Sequence, residues 1–223
     1  MTAQEAGTTR ERLVESAVRL FGERGIEATS LRMLTEAART NIAAVNYHFG
    51  SKDGLLRAVI DQTMHAVNSE RRRRLDKLES EPQPPSVAAL VRAFVEPGTA
   101  LVDEHGSKGP DVARFIGRIV SEPDPRIRQV FADQVDPVEG RYLAALGRAL
   151  PDLDGEGIRF VYTSMLGLLS LHQSGAFAAV EWPRRQTSSI GKSSAGAADR
   201  ERLVAFVTGG ILATLPAGST TGT

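Results

Sequence analysis

Apolar residues recur at spacings of three and four along almost the whole chain, which is the helical period. Leu13, Val14, Ala17, Val18, Leu20 and Phe21 mark one face of a first helix from Thr8 to about Glu23. Thr8 and Glu11 have the spacing of a capping box, and Gly25 supplies the stop. A short second helix follows Thr29 or Ser30 as N-cap, with Leu31, Leu34 and Ala38 on one face. A third begins at Asn41, runs through Tyr47 and His48, and breaks at Gly50. Ser51 then caps a fourth, burying Leu55, Leu56, Val59, Ile60, Met64 and Val67.

The segment 79–86, ESEPQPPS, is rich in proline and polar residues and reads as a linker. Beyond it, helical spacing predicts segments at about Val87–Val102, Pro110–Ser121, Pro125–Leu150, Gly155–Phe177 and Asp199–Leu215. The stretch 184–198 is low in apolar residues and reads as a mobile loop. No alternating strand pattern competes, so the predicted fold class is all-α.

Composition narrows the function. A chain of 223 residues with no Cys has no disulfide framework, thiolate metal site or Cys nucleophile. Neither a signal-peptide pattern nor a membrane-length apolar run is seen, and a soluble, cytoplasmic protein is expected. The formal net charge is zero, which taken whole argues against a nucleic-acid partner. Resolved along the chain it does not: residues 1–78 hold 13 Lys plus Arg against 10 Asp plus Glu, and the remainder 14 against 17. Arg71–Arg74 resemble a nucleic-acid patch, but read more simply as a solvated helix end.

Three short helices within about 50 residues, the last two joined by a tight turn, form a helix-turn-helix pattern. The third is the expected reader. Small Ala43 and Ala44 permit close approach to base edges and touch a thymine methyl, and Asn46 suits a bidentate contact with adenine. Arg32, Tyr47, His48 and Lys52 carry donors for phosphate oxygens. A cation such as Lys52 opposes the dipole at a helix N-terminus, which suggests another duty. The plain alternative for each is an ordinary helix surface.

Residues 9 to about 60, above all NIAAVNYHFGSKDGLL from Asn41 to Leu56, resemble the N-terminal domain of tetracycline-repressor-type (TetR family) transcriptional regulators. The resemblance implies a two-domain, all-α protein. Residues 1–54 would be the DNA-binding domain, with a connecting helix to about 78, and 79–223 an effector-binding and dimerisation domain. Carried over by position, DNA contacts fall on Arg32, Ile42, Ala43, Ala44, Asn46, Tyr47, His48 and Lys52. One departure stands out: the family usually has Gly then Val in the turn, where this chain has Arg39 and Thr40. Glycine suits a left-handed turn position, and Arg39 there would cost roughly 1 kcal/mol.

The stretch Phe160–Leu171 is apolar nearly all round, which implies burial on more than one side. With Ser164, Gly167 and Ser170 at spacing three, and Thr208, Gly209 and Gly210 within the last helix, the last two helices are expected to form a homodimer interface; intrachain packing is the alternative. A two-fold dimer presents two reading helices roughly 34–36 Å apart to a near-palindromic operator of double-stranded DNA.

For an effector pocket the candidates are Phe94, Phe115, Phe131, Tyr142 and Met165 as apolar lining, with Arg118, His172 or Gln173 as polar anchor. Core packing competes for each. The wording NIAAVNYHFGSK is similar to regulators that answer to fatty acids or their thioesters, and so implies a hydrophobic or acyl small-molecule effector. No cofactor, metal site or membrane association is expected, since no His, Asp or Glu grouping has ligand spacing. No nucleophile elbow or phosphate-binding glycine loop is present, so an enzyme has no residues to rest on. The leading expectation is a ligand-responsive, dimeric DNA-binding repressor. A helical scaffold or interaction protein without specific DNA binding is the alternative.

Overall fold

The computed structural model describes residues 8–173 and 197–216. Among them the regular structure is helical, with no strand. The helices are α1 (Thr9–Arg24), α2 (Leu31–Ala37), α3 (Ile42–Phe49), α4 (Lys52–Glu79), α5 (Val87–Glu104), α6 (Gly109–Val120), α7 (Pro125–Ala149), α8 (Gly155–Gln173) and α9 (Ala197–Leu212). A 3-10 turn, Gly106–Lys108, precedes α6. The expected end of the eighth helix at Phe177, and the expected loop from 184 as far as residue 196, lie outside the described residues.

Local chemistry sets the boundaries. Thr8 Oγ1 accepts from the Glu11 amide at 3.2 Å, and a Glu11 carboxylate oxygen accepts from the Thr8 amide at 2.7 Å, closing the capping box. Ser30, not Thr29, caps α2, accepting from the Met33 amide at 3.2 Å. Thr29 is instead fully buried, its hydroxyl donating to the Gly25 and Leu20 carbonyls. Asn41 caps α3 through the Ala44 amide at 3.0 Å, and Ser51 accepts from the Gly54 amide at 3.0 Å at the start of α4. Gly25 and Gly50 take the positive φ values, 90° and 74°, that end α1 and α3.

The contacts divide the chain into two compact units. The first holds residues up to Ala66 together with Val102–Asp136, and the second Val67–Leu101 together with Pro137 onward. In the first, Leu13, Ala17, Phe21, Leu34, Val45, Leu55, Leu56 and Val59 form the core of α1–α4. Helix α6 lies on α1, where the Phe21 and Phe115 rings stand 6.4 Å apart. Lys108 pairs with Glu15 at 2.5 Å beside them.

In the second unit, Phe94, Tyr142, Tyr162, Met165 and Leu169 pack with Leu75, Leu90, Leu146, Val161 and Val204. The arginine run on α4 is partly exposed, as expected of a solvated face, except at Arg71. Arg73 and Arg74 share Glu70 at 2.6 and 2.7 Å, Arg74 also reaches Glu96, and Arg92 joins Glu96 at 2.8 Å to Glu201 at 2.5 Å. This chain of partly exposed pairs links α4, α5 and α9. Arg71 is buried, 4% exposed, because its position on α4 faces the Phe94 core rather than water.

Candidate nucleic-acid interface

Helix α3 has one fully buried residue, with Phe49 partly buried under Arg10 at its end. Val45 is fully buried, while Ile42, Ala43, Asn46, Tyr47 and His48 are exposed and Ala44 is half-buried. Tyr47 is 85% exposed and Ile42 47% exposed. The Tyr47 ring meets that of His48 edge-on at 5.0 Å, presenting a hydroxyl and an imidazole side by side. A helix so exposed, with small residues at its first turn and polar tips at its last, can enter a major groove without displacing other structure.

The turn ahead of it is built on Arg39, which adopts a left-handed backbone, φ 51°. The Arg39 amide donates to the Glu36 carbonyl at 3.2 Å, and the Thr40 amide to the Thr35 carbonyl at 2.9 Å. This is the Schellman closure of a helix C-terminus, in which the left-handed position usually belongs to glycine. The geometry expected for the turn is therefore kept, with an exposed cation where glycine is usual. Arg12 of α1 braces the same corner, its Nε donating to the Ala38 carbonyl at 3.1 Å.

The remaining donors lie on the flanking helices. Arg32 is exposed at the start of α2 and pairs with Glu36 at 2.8 Å, which raises its pKa through that hydrogen bond. Both partners are so open to water that the pair is worth little, and a phosphate can take over the guanidinium. Lys52, half-buried at the start of α4, donates from an exposed Nζ to the Glu27 carbonyl at 3.5 Å. All eight residues named for DNA contact thus fall on α2, α3 and the first turn of α4.

The eight residues named for an effector fall in two groups. Phe94, Tyr142 and Met165 are together in the core of the second unit, where Phe94 meets Tyr142 at 5.2 Å and Tyr162 at 5.5 Å, both edge-on. His172 and Gln173 are half-buried at the end of α8, and the Gln173 amide donates to the Gly98 carbonyl. Phe115, Arg118 and Phe131 belong to the first unit. There Phe115 packs on Phe21, and the Arg118 guanidinium lies near Gly25. Sequence reasoning missed Arg71, whose guanidinium covers the Phe94 face. Among the described residues no three His, Asp or Glu side chains are grouped to hold a metal, and no helix is long and apolar enough to cross a membrane.

The fold and the exposed third helix define a helix-turn-helix protein with a helical second part. Residues 13–59 match the family model for bacterial regulatory proteins of the tetR family, and residues 92–210 the tetracyclin repressor-like C-terminal domain. The chain belongs to this family. It is 32% identical to the HTH-type transcriptional dual regulator CecR of Shigella flexneri over 68% of this chain and 69% of that protein. It is 23% identical to the probable HTH-type transcriptional regulator YttP of Bacillus subtilis over 56% of each, so the match spans a little over half that relative's length. The fatty acid degradation regulator FadR from Bacillus halodurans superposes with a TM-score of 0.63 at 12% identity, covering 94% of this chain and 97% of that one. At that identity the likeness is one of fold.

Proposed function

We propose that the protein is a homodimeric transcriptional repressor that binds a near-palindromic operator through α3 and is released by a small hydrophobic or acyl effector. The observation that carries the reading is the surface of α3. Val45 is its one fully buried residue, and Ile42, Ala43, Asn46, Tyr47 and His48 are left open. Ala43, Ala44 and Asn46 read base edges, and Arg32, Tyr47, His48 and Lys52 bind phosphates. Residues 1–54, with the connecting helix to about 78, are the DNA-binding part, and 79–223 serve effector binding and dimerisation in the cytoplasm.

The partner for dimerisation is a second copy of the chain. Phe160 and Leu171 on α8, and Phe206 and Leu212 on α9, are exposed apolar side chains. Among the described residues a Cβ built on Gly167, Gly209 or Gly210 meets nothing within 4 Å, so the packing they make gives no reason for glycine there. Close approach of the same two helices from a second copy does. The aromatic cluster of Phe94, Tyr142 and Tyr162 with Met165 supports an apolar effector.

Gel-shift titration of the full chain against DNA upstream of its own gene tests this reading. Specific retention that weakens steeply with salt is expected, because phosphate contacts release counterions. Equal retention of unrelated DNA at every salt concentration would overturn it.

A further inference from the structure

The Arg71 guanidinium is buried in the second unit, with no anionic partner among the described residues. Its central carbon lies 3.8 Å from the centroid of the Phe94 ring, and its Nε donates to the Phe94 carbonyl at 3.1 Å. Among the described residues no carboxylate stands within ion-pairing distance of it, whereas Arg73 and Arg74 on the same stretch both hold Glu70. A guanidinium stays charged at neutral pH, and an ion taken out of water without a counter-ion is strongly unfavourable. Burial pulls this group down to about 10, still far above neutrality. Tyr142 and Tyr162 flank it as neutral phenols, their pKa raised by burial.

The surroundings hold further polar groups that are not satisfied. Asn68, one turn before Arg71 on α4, is buried and its Oδ1 has no hydrogen-bond partner among the described residues. Ser170, one turn before Gln173 on α8, is buried and its hydroxyl likewise has none among the described residues. The two helices meet at Gly98 of α5. A Cβ there would fall 3.2 Å from an Arg71 terminal nitrogen and 2.7 Å from a Leu169 methyl, and the Gly98 carbonyl takes the Gln173 amide. Buried groups of this kind are normally partnered, and a planar carboxylate matches the two-nitrogen fork of a guanidinium.

We propose that Arg71 is the anchor for an anionic effector, a carboxylate head on an apolar body, with Ser170 and Asn68 as further hydrogen-bonding groups and Phe94, Met165 and Leu169 against the body. This rests on the reading of the chain as an effector-responsive regulator and names the effector's chemistry. Arg71 would then supply selectivity for the acid over its neutral derivatives, since only the acid offsets the buried charge.

The test is calorimetric titration of the full chain with the sodium salts of unbranched carboxylic acids from butanoate to hexadecanoate and with benzoate, each beside its methyl ester. At least one acid should bind ten or more times more tightly than its ester. Arg71→Met should abolish that preference, Arg71→Lys should recover part of it, and Arg73→Met should leave it as it is. Melting curves on each variant establish folding, and Arg71→Lys carries the test should the Met variant unfold. Every ester binding as well as its acid, preference retained in folded Arg71→Met, or no acid binding at all would overturn the proposal. Gel shifts on the same samples separate the two levels. Operator binding with no acid preference removes only the Arg71 assignment, while acid binding without operator binding removes the regulator reading.

Discussion

Gly22 of α1 lies directly under Phe115 of α6: a Cβ added to the glycine would come within 3.0 Å of the Phe115 amide nitrogen and 3.4 Å of the Arg114 backbone. The contact is with main chain, which cannot rotate aside. The absence of a side chain at residue 22 therefore sets how closely α6 sits on the helix that carries the helix-turn-helix core. Gly22→Val should destabilise the protein by about 1–3 kcal/mol, the range for overpacking a tight contact. At this chain length each kcal/mol moves the melting midpoint by roughly 2–4 °C. An unchanged midpoint in thermal denaturation would show that α6 yields freely.

Arg39 offers the opposite sign. Its left-handed φ of 51° is strained for a residue with a side chain. Arg39→Gly should raise stability by about 1 kcal/mol, a rise of roughly 2–4 °C in melting midpoint. A fall would mean that the arginine makes compensating contacts worth more than the strain.

Glu70 gives a pH signature. The hydrogen bonds from Arg73 and Arg74 hold its carboxyl at about 2, well below the usual value of 4.5. A carboxyl depressed on folding stabilises the native state above its unfolded pKa, and the benefit fades as pH falls toward the folded one. Comparison of the wild type with Glu70→Gln by denaturant titration should show a stability difference that is constant at neutral pH and shrinks between pH 4.5 and 2. Because Glu70 is about one-third exposed, water screening keeps that difference small.

Phe206 is 69% exposed on α9. Phe206→Glu should place a charge in the subunit interface and leave the monomer folded. Sedimentation equilibrium at micromolar concentration should then give twice the mass for the wild type that it gives for the variant. A wild-type monomer would remove the dimer from the account.

Much of the first unit was legible because its signals are local. The Thr8 and Glu11 box, the Ser51 and Asn41 caps and the Gly25 and Gly50 stops each act within four residues, and the Arg39 turn announced its own strain. What escaped depends on partners distant in sequence. Gly22 meets a helix about 90 residues on, and four consecutive arginines read as solvent-facing until Phe94 is placed against the first of them. Phe94, Tyr142 and Met165 did converge, but Phe115, Arg118 and Phe131 have the same composition signature and sit in the other unit. An apolar residue at helical spacing shows that it is buried and not beside which neighbour.

Two copies of α3 reading one operator is the step on which regulation depends. Footprinting of the full chain on its own upstream DNA, alongside Tyr47→Ala, is the decisive measurement. Two symmetry-related protected half-sites are expected about one helical turn apart, roughly 34–36 Å. Tyr47→Ala should protect only at concentrations about tenfold higher or more, as loss of a hydrogen bond to a charged phosphate implies. No protected site, or equal protection by the folded Tyr47→Ala variant at the same concentration, would contradict reading by α3.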